Sequence, residues 1–215
     1  MHKEFKMRKF LMITGLALFL LFTKSVNAQS DKQQHINDSR TMYDTFQKSG
    51  LDSAKTYWET KVEIYGNTDG RYENDMGQLF IAAKKYQESL SWFEKSSELD
   101  TTFPYPHLNV AKVSMILRNY NRAAGILENL MNKLPSWEPP YRLSTELAFR
   151  MENYKTSVKI GAQALNLKKH FATYFFMALS YYELEQIEEA KFHAEKSIKM
   201  NPQLKNEKNL MKILE

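Results

Sequence analysis

The sequence predicts an all-α fold, a solenoid of antiparallel helix pairs stacked in chain order. Three observations predict it. Small residues recur with a period near 34: Ser89, Ala123, Ser157 and Ala190 step by 34, 34 and 33, and Gly77, Ala111, Thr145 and Ala178 step by the same amounts. Within each period the apolar residues return every three or four positions, as in Leu127, Leu130, Met131 and Leu134, and no stretch alternates as a strand would. All six prolines (Pro104, Pro106, Pro135, Pro139, Pro140 and Pro202) fall at period boundaries, where proline fits the first turn of a helix without losing a needed hydrogen bond.

Composition sets the outer limits. The chain has 215 residues, 43% hydrophobic and 26% charged, with only 7 Gly and 6 Pro, so it is neither disordered nor collagen-like. It has no Cys, which excludes disulfide frameworks, thiolate metal sites, cysteine nucleophiles and a lipid attached through Cys. The net charge of +5 and a pI near 9.1 point, at face value, to an anionic partner.

The first element moves that charge elsewhere. Residues 1–28 open with Lys3, Lys6, Arg8 and Lys9, continue with a 13-residue apolar run from Phe10 to Phe22, and close on Val26-Asn27-Ala28. This is the order of a secretory signal, too short to span a bilayer, and the expected cleavage follows Ala28. Met7 is an alternative start, and a retained anchor is the alternative fate. The segment holds five of the 30 basic and one of the 25 acidic side chains, which leaves the rest at a net charge of +1. Such a chain is expected to be exported, periplasmic or secreted, not membrane-spanning once cleaved, and not a nucleic-acid binder.

Residues 29–69 read as a degenerate helix pair that caps the solenoid, with Ile36, Met42 and Phe46 on its first helix and Leu51, Ala54 and Trp58 on its second. Gly66 and Gly70 bracket a helix-terminating loop. Four units follow over 70–202, at about 70–101, 104–135, 138–169 and 171–202. The tail, 203–215, carries Leu204, Leu210, Met211 and Leu214 among Lys and Glu, as a solvated capping helix would.

At this point the chain resembles the tetratricopeptide repeat (TPR) family. Tyr174, Ala178, Tyr181, Ile187, Ala190 and Pro202 match the family unit closely, and Ala111, Tyr120, Ala123 and Pro135 nearly as well. Gly77, Phe80, Tyr86, Ser89 and Phe93 follow it in the first unit. The third unit departs most, with Thr145, Gly161 and Lys168-Lys169. The resemblance implies a right-handed superhelix whose first helices line a concave groove for extended peptides or partner helices.

Placing that groove by helical spacing gives Arg71, Asn74 and Gln78, then Asn109 and Lys112, then Arg142, Glu146 and Arg150, then Phe175, Leu179 and Tyr182. Arg142, Glu146 and Arg150 stand four apart, so they read either as an ion-pair ladder along one helix or, with Lys112, as receivers of a partner's carboxylate. Some family members grip a terminal carboxylate with Lys and Asn on three first helices. Asn74 and Asn109 are in keeping with that, but the lysines are not at the matching places. The aromatic cluster around Phe175 and Tyr182 offers an alternative, a small-molecule binder or an enzyme-accessory subunit, although packing on both sides of the helix within the solenoid accounts for it more readily.

No catalytic constellation is legible. His35, His107, His170 and His193 are scattered, and none pairs with a Glu at metalloprotease spacing. No nucleophile elbow or phosphate loop occurs. The expectation is a non-catalytic interaction scaffold, without metal or cofactor, for a protein or peptide partner in the cell envelope or secreted space.

Overall fold

The computed structural model describes residues 2–65 and 70–215, with side chains from Asp31 onward except Lys32 and Tyr65. The expected leader, 1–28, lies outside the described side chains, and 66–69 lie outside the described residues. Among the described residues there is no strand. The chain divides into two compact units, Met1–Gly66 and Asn67–Glu215.

In the first unit, α1 (His2–Tyr65) is broken at Gly50, whose φ of 84° is open to glycine at little cost. The break makes a helical pair. Tyr57 Oη donates to Asp38 Oδ1 at 2.8 Å, and Lys61 Nζ lies 3.1 Å from the same oxygen. Burial alone would raise the Asp38 carboxyl, but hydrogen bonds from Tyr57, Gln34 and Lys61 outweigh it and hold the group below its ordinary value. Met42, Ala54 and Trp58 are buried. Ile36, expected on the apolar face, is instead exposed, because Asp38 takes the buried position two residues on.

The second unit is a run of helix pairs: α2 (Arg71–Ala82) with α3 (Tyr86–Leu99), α4 (Pro104–Ile116) with α5 (Tyr120–Lys133), α6 (Glu138–Arg150) with α7 (Tyr154–Leu167), and α8 (Phe171–Glu183) with α9 (Ile187–Met200). A 3-10 turn (Pro202–Asn206) leads to α10 (Lys208–Leu214). Each helix packs chiefly on its neighbours in sequence, as in a TPR-like solenoid.

Both columns of small residues are buried. Ala111, Thr145, Ala178, Ser89, Ala123, Ser157 and Ala190 have no exposed surface. Around them lie Leu90, Phe93, Val110 and Val113, then Leu108, Leu127, Leu143 and Leu147, then Leu179, Leu210 and Ile213. Each fully buried Leu or Phe contributes roughly 2 kcal/mol of transfer free energy.

The turn inside every pair has the same construction. Lys84, Arg118, Glu152 and Glu185 carry φ of 58°, 60°, 60° and 60°. Their N–H groups donate to Ile81, Met115, Phe149 and Tyr182, and the next residues reach back to Phe80, Ser114, Ala148 and Tyr181. These paired bonds satisfy the last carbonyls of the first helix. At the turns between pairs, Pro104, Pro139, Pro140 and Pro202 occupy first-turn positions.

Candidate functional site

Consecutive first helices touch one another, α2 with α4, α4 with α6 and α6 with α8, whereas no two second helices do among the described residues. The first helices therefore form the inner layer of the second unit. Which residues open onto that layer decides what it can hold.

Between α4 and α6 lies a cavity of about 460 Å³ lined by Lys112, Arg118, Arg142 and Arg150, with Met115, Ile116, Tyr120 and Leu143 as its apolar part and Glu146 as its one acid. Helical spacing had placed Lys112, Arg142, Glu146 and Arg150 on this face, and the structure brings all four to one cavity. Arg118 joins them from the turn. Mapping a helical face cannot find a residue in a left-handed turn; the signal for it is that Lys84, Arg118, Glu152 and Glu185 hold one position of the period.

The ion pairs differ from a three-residue ladder. Arg150 bonds Glu146 through Nε at 2.8 Å, while Arg142 turns one helical turn back, its Nε 3.2 Å from Glu138 Oε1. Burial raises the Glu138 carboxyl above its ordinary value, and Arg142 and Lys168 pull it partly back. Lys112 and Arg118 make no ion pair among the described residues. Arg150 meets Glu146 through Nη2 as well as Nε, so the cavity keeps two uncompensated cations, Lys112 and Arg118, beside two arginines already paired with carboxylates.

The other expected groove residues are spread along the inner layer. Asn109 Nδ2 donates to Asn74 Oδ1 at 2.8 Å, across 35 residues of sequence, tying α2 to α4. Arg71 is half-buried beside Asp100, whose carboxyl is lowered chiefly by hydrogen bonds from Thr102, and Gln78 is exposed. Phe175, Leu179 and Tyr182 pack in one cluster with Leu210 and Ile213 of α10, and Lys212 Nζ lies 5.2 Å from the Tyr182 ring centre. Phe175 meets Phe176 edge-on at 5.1 Å. The inner layer is thus filled by the tail at its late end and open at its middle.

The histidines serve as local structure. His170 Nδ1 accepts from the Ala172 N–H at the start of α8, and its ring stacks on Phe171 at 4.6 Å. His193 donates from Nδ1 to the Glu189 carbonyl, 2.8 Å away, between the rings of Tyr174 and Tyr181. His107 lines a second cavity, of about 280 Å³, with Asn129 and Lys133 over Ile126, Leu130 and Leu134. Among the described residues no group of three or more His, Cys, Asp or Glu could hold a metal ion, and no helix is long and apolar enough to cross a membrane.

Residues 171–204 match the family model of the tetratricopeptide repeat. No curated protein matches the chain. Among solved structures it is similar to a tetratricopeptide repeat protein from Parabacteroides merdae ATCC 43184, at TM-score 0.64 and 16% identity, covering 85% of this chain and 71% of that one. It is also similar to a thermophilic TPR protein of Thermus thermophilus, at TM-score 0.65 and 13% identity over 83% of this chain and 96% of that one. A third is YrrB, described as a TPR protein with an unusual peptide-binding site, at TM-score 0.57 and 14% identity over 89% and 96% of the two chains.

Proposed function

We infer that this tetratricopeptide-repeat protein, identified as such by its last unit and its fold, is a non-catalytic scaffold that holds an acidic segment of a partner protein against α4 and α6. The observation that carries the reading is the cavity where Lys112, Arg118, Arg142 and Arg150 converge against the single acid Glu146. Arginine forks bind carboxylates through two parallel hydrogen bonds, and the apolar wall of Met115, Ile116 and Leu143 gives the same segment a hydrophobic contact. The peptide-binding site in the description of YrrB agrees with such a role.

The order of charge and hydropathy over 1–28 supports an exported protein that works in the envelope or outside the cell. An intact mass of the native protein beginning near Gln29 is the expected result, and a mass that includes residue 1 would overturn it.

The groove is tested by capture of partners from source extracts on the wild-type chain and on a Lys112→Glu/Arg118→Glu variant. These two side chains make no ion pair, so the variant keeps the fold while reversing the charge of the cavity. A partner held by the wild type and lost by the variant supports the reading; equal recovery on both sinks it.

A further inference from the structure

The edge of the second unit where one pair hands over to the next has a character the groove does not use. Every second helix has there, at its last residue or, for α5, one residue past it, an exposed apolar side chain: Leu99, Leu134, Leu167 and Met200, between 37% and 47% exposed. They are one to a unit. From the second pair onward Lys133, Lys168, Lys169 and Lys199 flank them, with Lys205 in the following turn, all at least partly exposed and none in an ion pair among the described residues. Tyr105, half-exposed, meets Trp137 edge-on at 5.3 Å at the same edge.

The opposite edge of the last unit is acidic, with Glu183, Glu185, Glu188 and Glu189 where α8 turns into α9. The 13 residues of α8 separate the two edges by about 20 Å. That is twice or more the screening length of about 8–10 Å at physiological salt. An anionic surface at the lysine edge therefore attracts the lysines without feeling the glutamates.

Two details separate this edge from a site for a protein. From the second pair onward its five cations are all lysines, compact point charges suited to a diffuse anionic surface, whereas three of the four groove cations are arginines. Its exposed apolar tips come one to a helix pair, spaced by the repeat, and not from one helix face. Isolated apolar anchors among unpaired lysines, with Tyr and Trp beside them, are the composition of a membrane-interface surface. The cavity at His107 adds a mainly apolar recess there, with Ile126, Leu130 and Leu134 below the polar tips of Asn129 and Lys133.

We propose that this edge docks the second unit, edge-on, on an anionic phospholipid surface, with the lysines among the headgroups and Leu134, Leu167 and Met200 in the interface. The proposal is independent of what the groove holds.

The test uses the full chain, and its lack of Cys allows one label at a chosen site. Leu134→Cys, Leu167→Cys and Ile187→Cys, the last on the opposite edge, are each labelled with the environment-sensitive dye NBD. Vesicles are phosphatidylcholine alone or phosphatidylcholine with phosphatidylglycerol. Emission is expected to rise and shift to the blue at 134 and 167 with the anionic vesicles alone, and to stay unchanged at 187. With the label at 167, Lys133→Gln/Lys168→Gln/Lys169→Gln lowers vesicle affinity about a hundredfold, at about fivefold per lysine. Lys84→Gln/Lys85→Gln/Lys155→Gln, the same charge loss on the opposite edge, leaves it within about twofold of the parent, those lysines standing more than a screening length from the surface. Every variant carries the same residues 1–28, so a difference between variants or between label positions comes from the second unit. An equal response at all three labels, an equal response to both vesicles, equal effects of the two triple variants, or silence at 134 and 167 would each overturn the proposal, and silence would leave the edge to a protein.

Discussion

The Phe93 ring occupies the volume that a side chain at Gly77 would need: a Cβ built on Gly77 would stand 2.5 Å from Phe93 Cε1. Phe93 is fully buried and has nowhere to go. Gly77→Ala gains about 1 kcal/mol of helix propensity, but overpacking a filled core costs about 1–3 kcal/mol. A net loss of about 1 kcal/mol is expected. Phe93→Leu combined with Gly77→Ala should lose less than the two single changes added together, and thermal melts of the four proteins check it. Strict additivity would show that the two residues do not compete for the same space.

What was legible in the sequence, and what was not, follows from the same kind of contact. Ala111, Thr145 and Ala178 betray the fold because a close helix approach demands a small side chain at a fixed interval, whatever surrounds it. The odd third unit was harder. Thr145 is larger than its counterparts, and Gly161 compensates: a Cβ there would lie 3.2 Å from Thr145 Cγ2 and 2.6 Å from Met177 Cγ. A substitution offset by another 16 residues away looks like weakened register until the contact is seen. The site was legible where its residues share a helical face, as Lys112, Arg142, Glu146 and Arg150 do. Packing of Phe175, Leu179 and Tyr182 with α10 was not, since the tail stands outside the period that positions everything else.

Ser157 and Ser180 form a polar link inside the core between the third and fourth units. Ser157 Oγ donates to the Thr145 carbonyl at 2.9 Å, and Ser180 Oγ lies 2.8 Å from Ser157 Oγ and 2.7 Å from the Phe176 carbonyl. Both serines have no exposed surface. Removing either hydroxyl alone should cost about 1 kcal/mol, because a buried partner loses its bond. Ser157→Ala/Ser180→Ala removes both, so denaturant midpoints should show the double variant less destabilised than the sum. A sum or worse would mean that the hydroxyls act independently.

Leu210 has no exposed surface and shares its cluster with Leu179, Phe175 and Tyr182. Leu210→Ala should therefore cost about 2–5 kcal/mol, the range for leaving a cavity in place of a Leu side chain. Leu210→Asp should go further and lift α10 off α8. The expected sign is a rise in ANS fluorescence at unchanged far-ultraviolet dichroism of the repeat helices. If ANS does not bind, the cluster holds without the tail, and Phe175 and Tyr182 are covered by something other than α10.

His107, His170 and His193 are all held below the ordinary value of 6.5, with burial as the main cause in each; Lys133 adds to it at His107, Arg142 and Lys168 add at His170, and Glu189 opposes it at His193. A depressed folded-state pKa means that the unfolded chain takes up the proton first. Their contribution is then complete above about pH 6.5 and is lost as pH falls through the folded values. The melting temperature should hold near pH 7 and decline toward about pH 5, before most carboxylates titrate. His170→Asn keeps a side-chain acceptor at the start of α8 but cannot titrate, so its decline should be shallower. A flat or rising melting temperature over that interval would contradict the sign.

The left-handed turn residues offer the last check. Lys84, Arg118, Glu152 and Glu185 sit at φ near 60°, where an L side chain costs roughly 1–2 kcal/mol and glycine costs almost nothing. Glycine gives back part of that gain through the greater freedom of the unfolded chain. Glu152 and Glu185 are exposed and make no ion pair among the described residues, so little else is lost with the side chain. Glu152→Gly and Glu185→Gly should each stabilise by about 0.5–1 kcal/mol, and because they lie in different units the two gains should add. Arg118→Gly should stabilise by a similar amount while removing a cation from the groove, which would separate stability from partner binding at one position. Glycine that destabilises at 152 and 185 would mean that the side chains hold these turns and the backbone bonds do not.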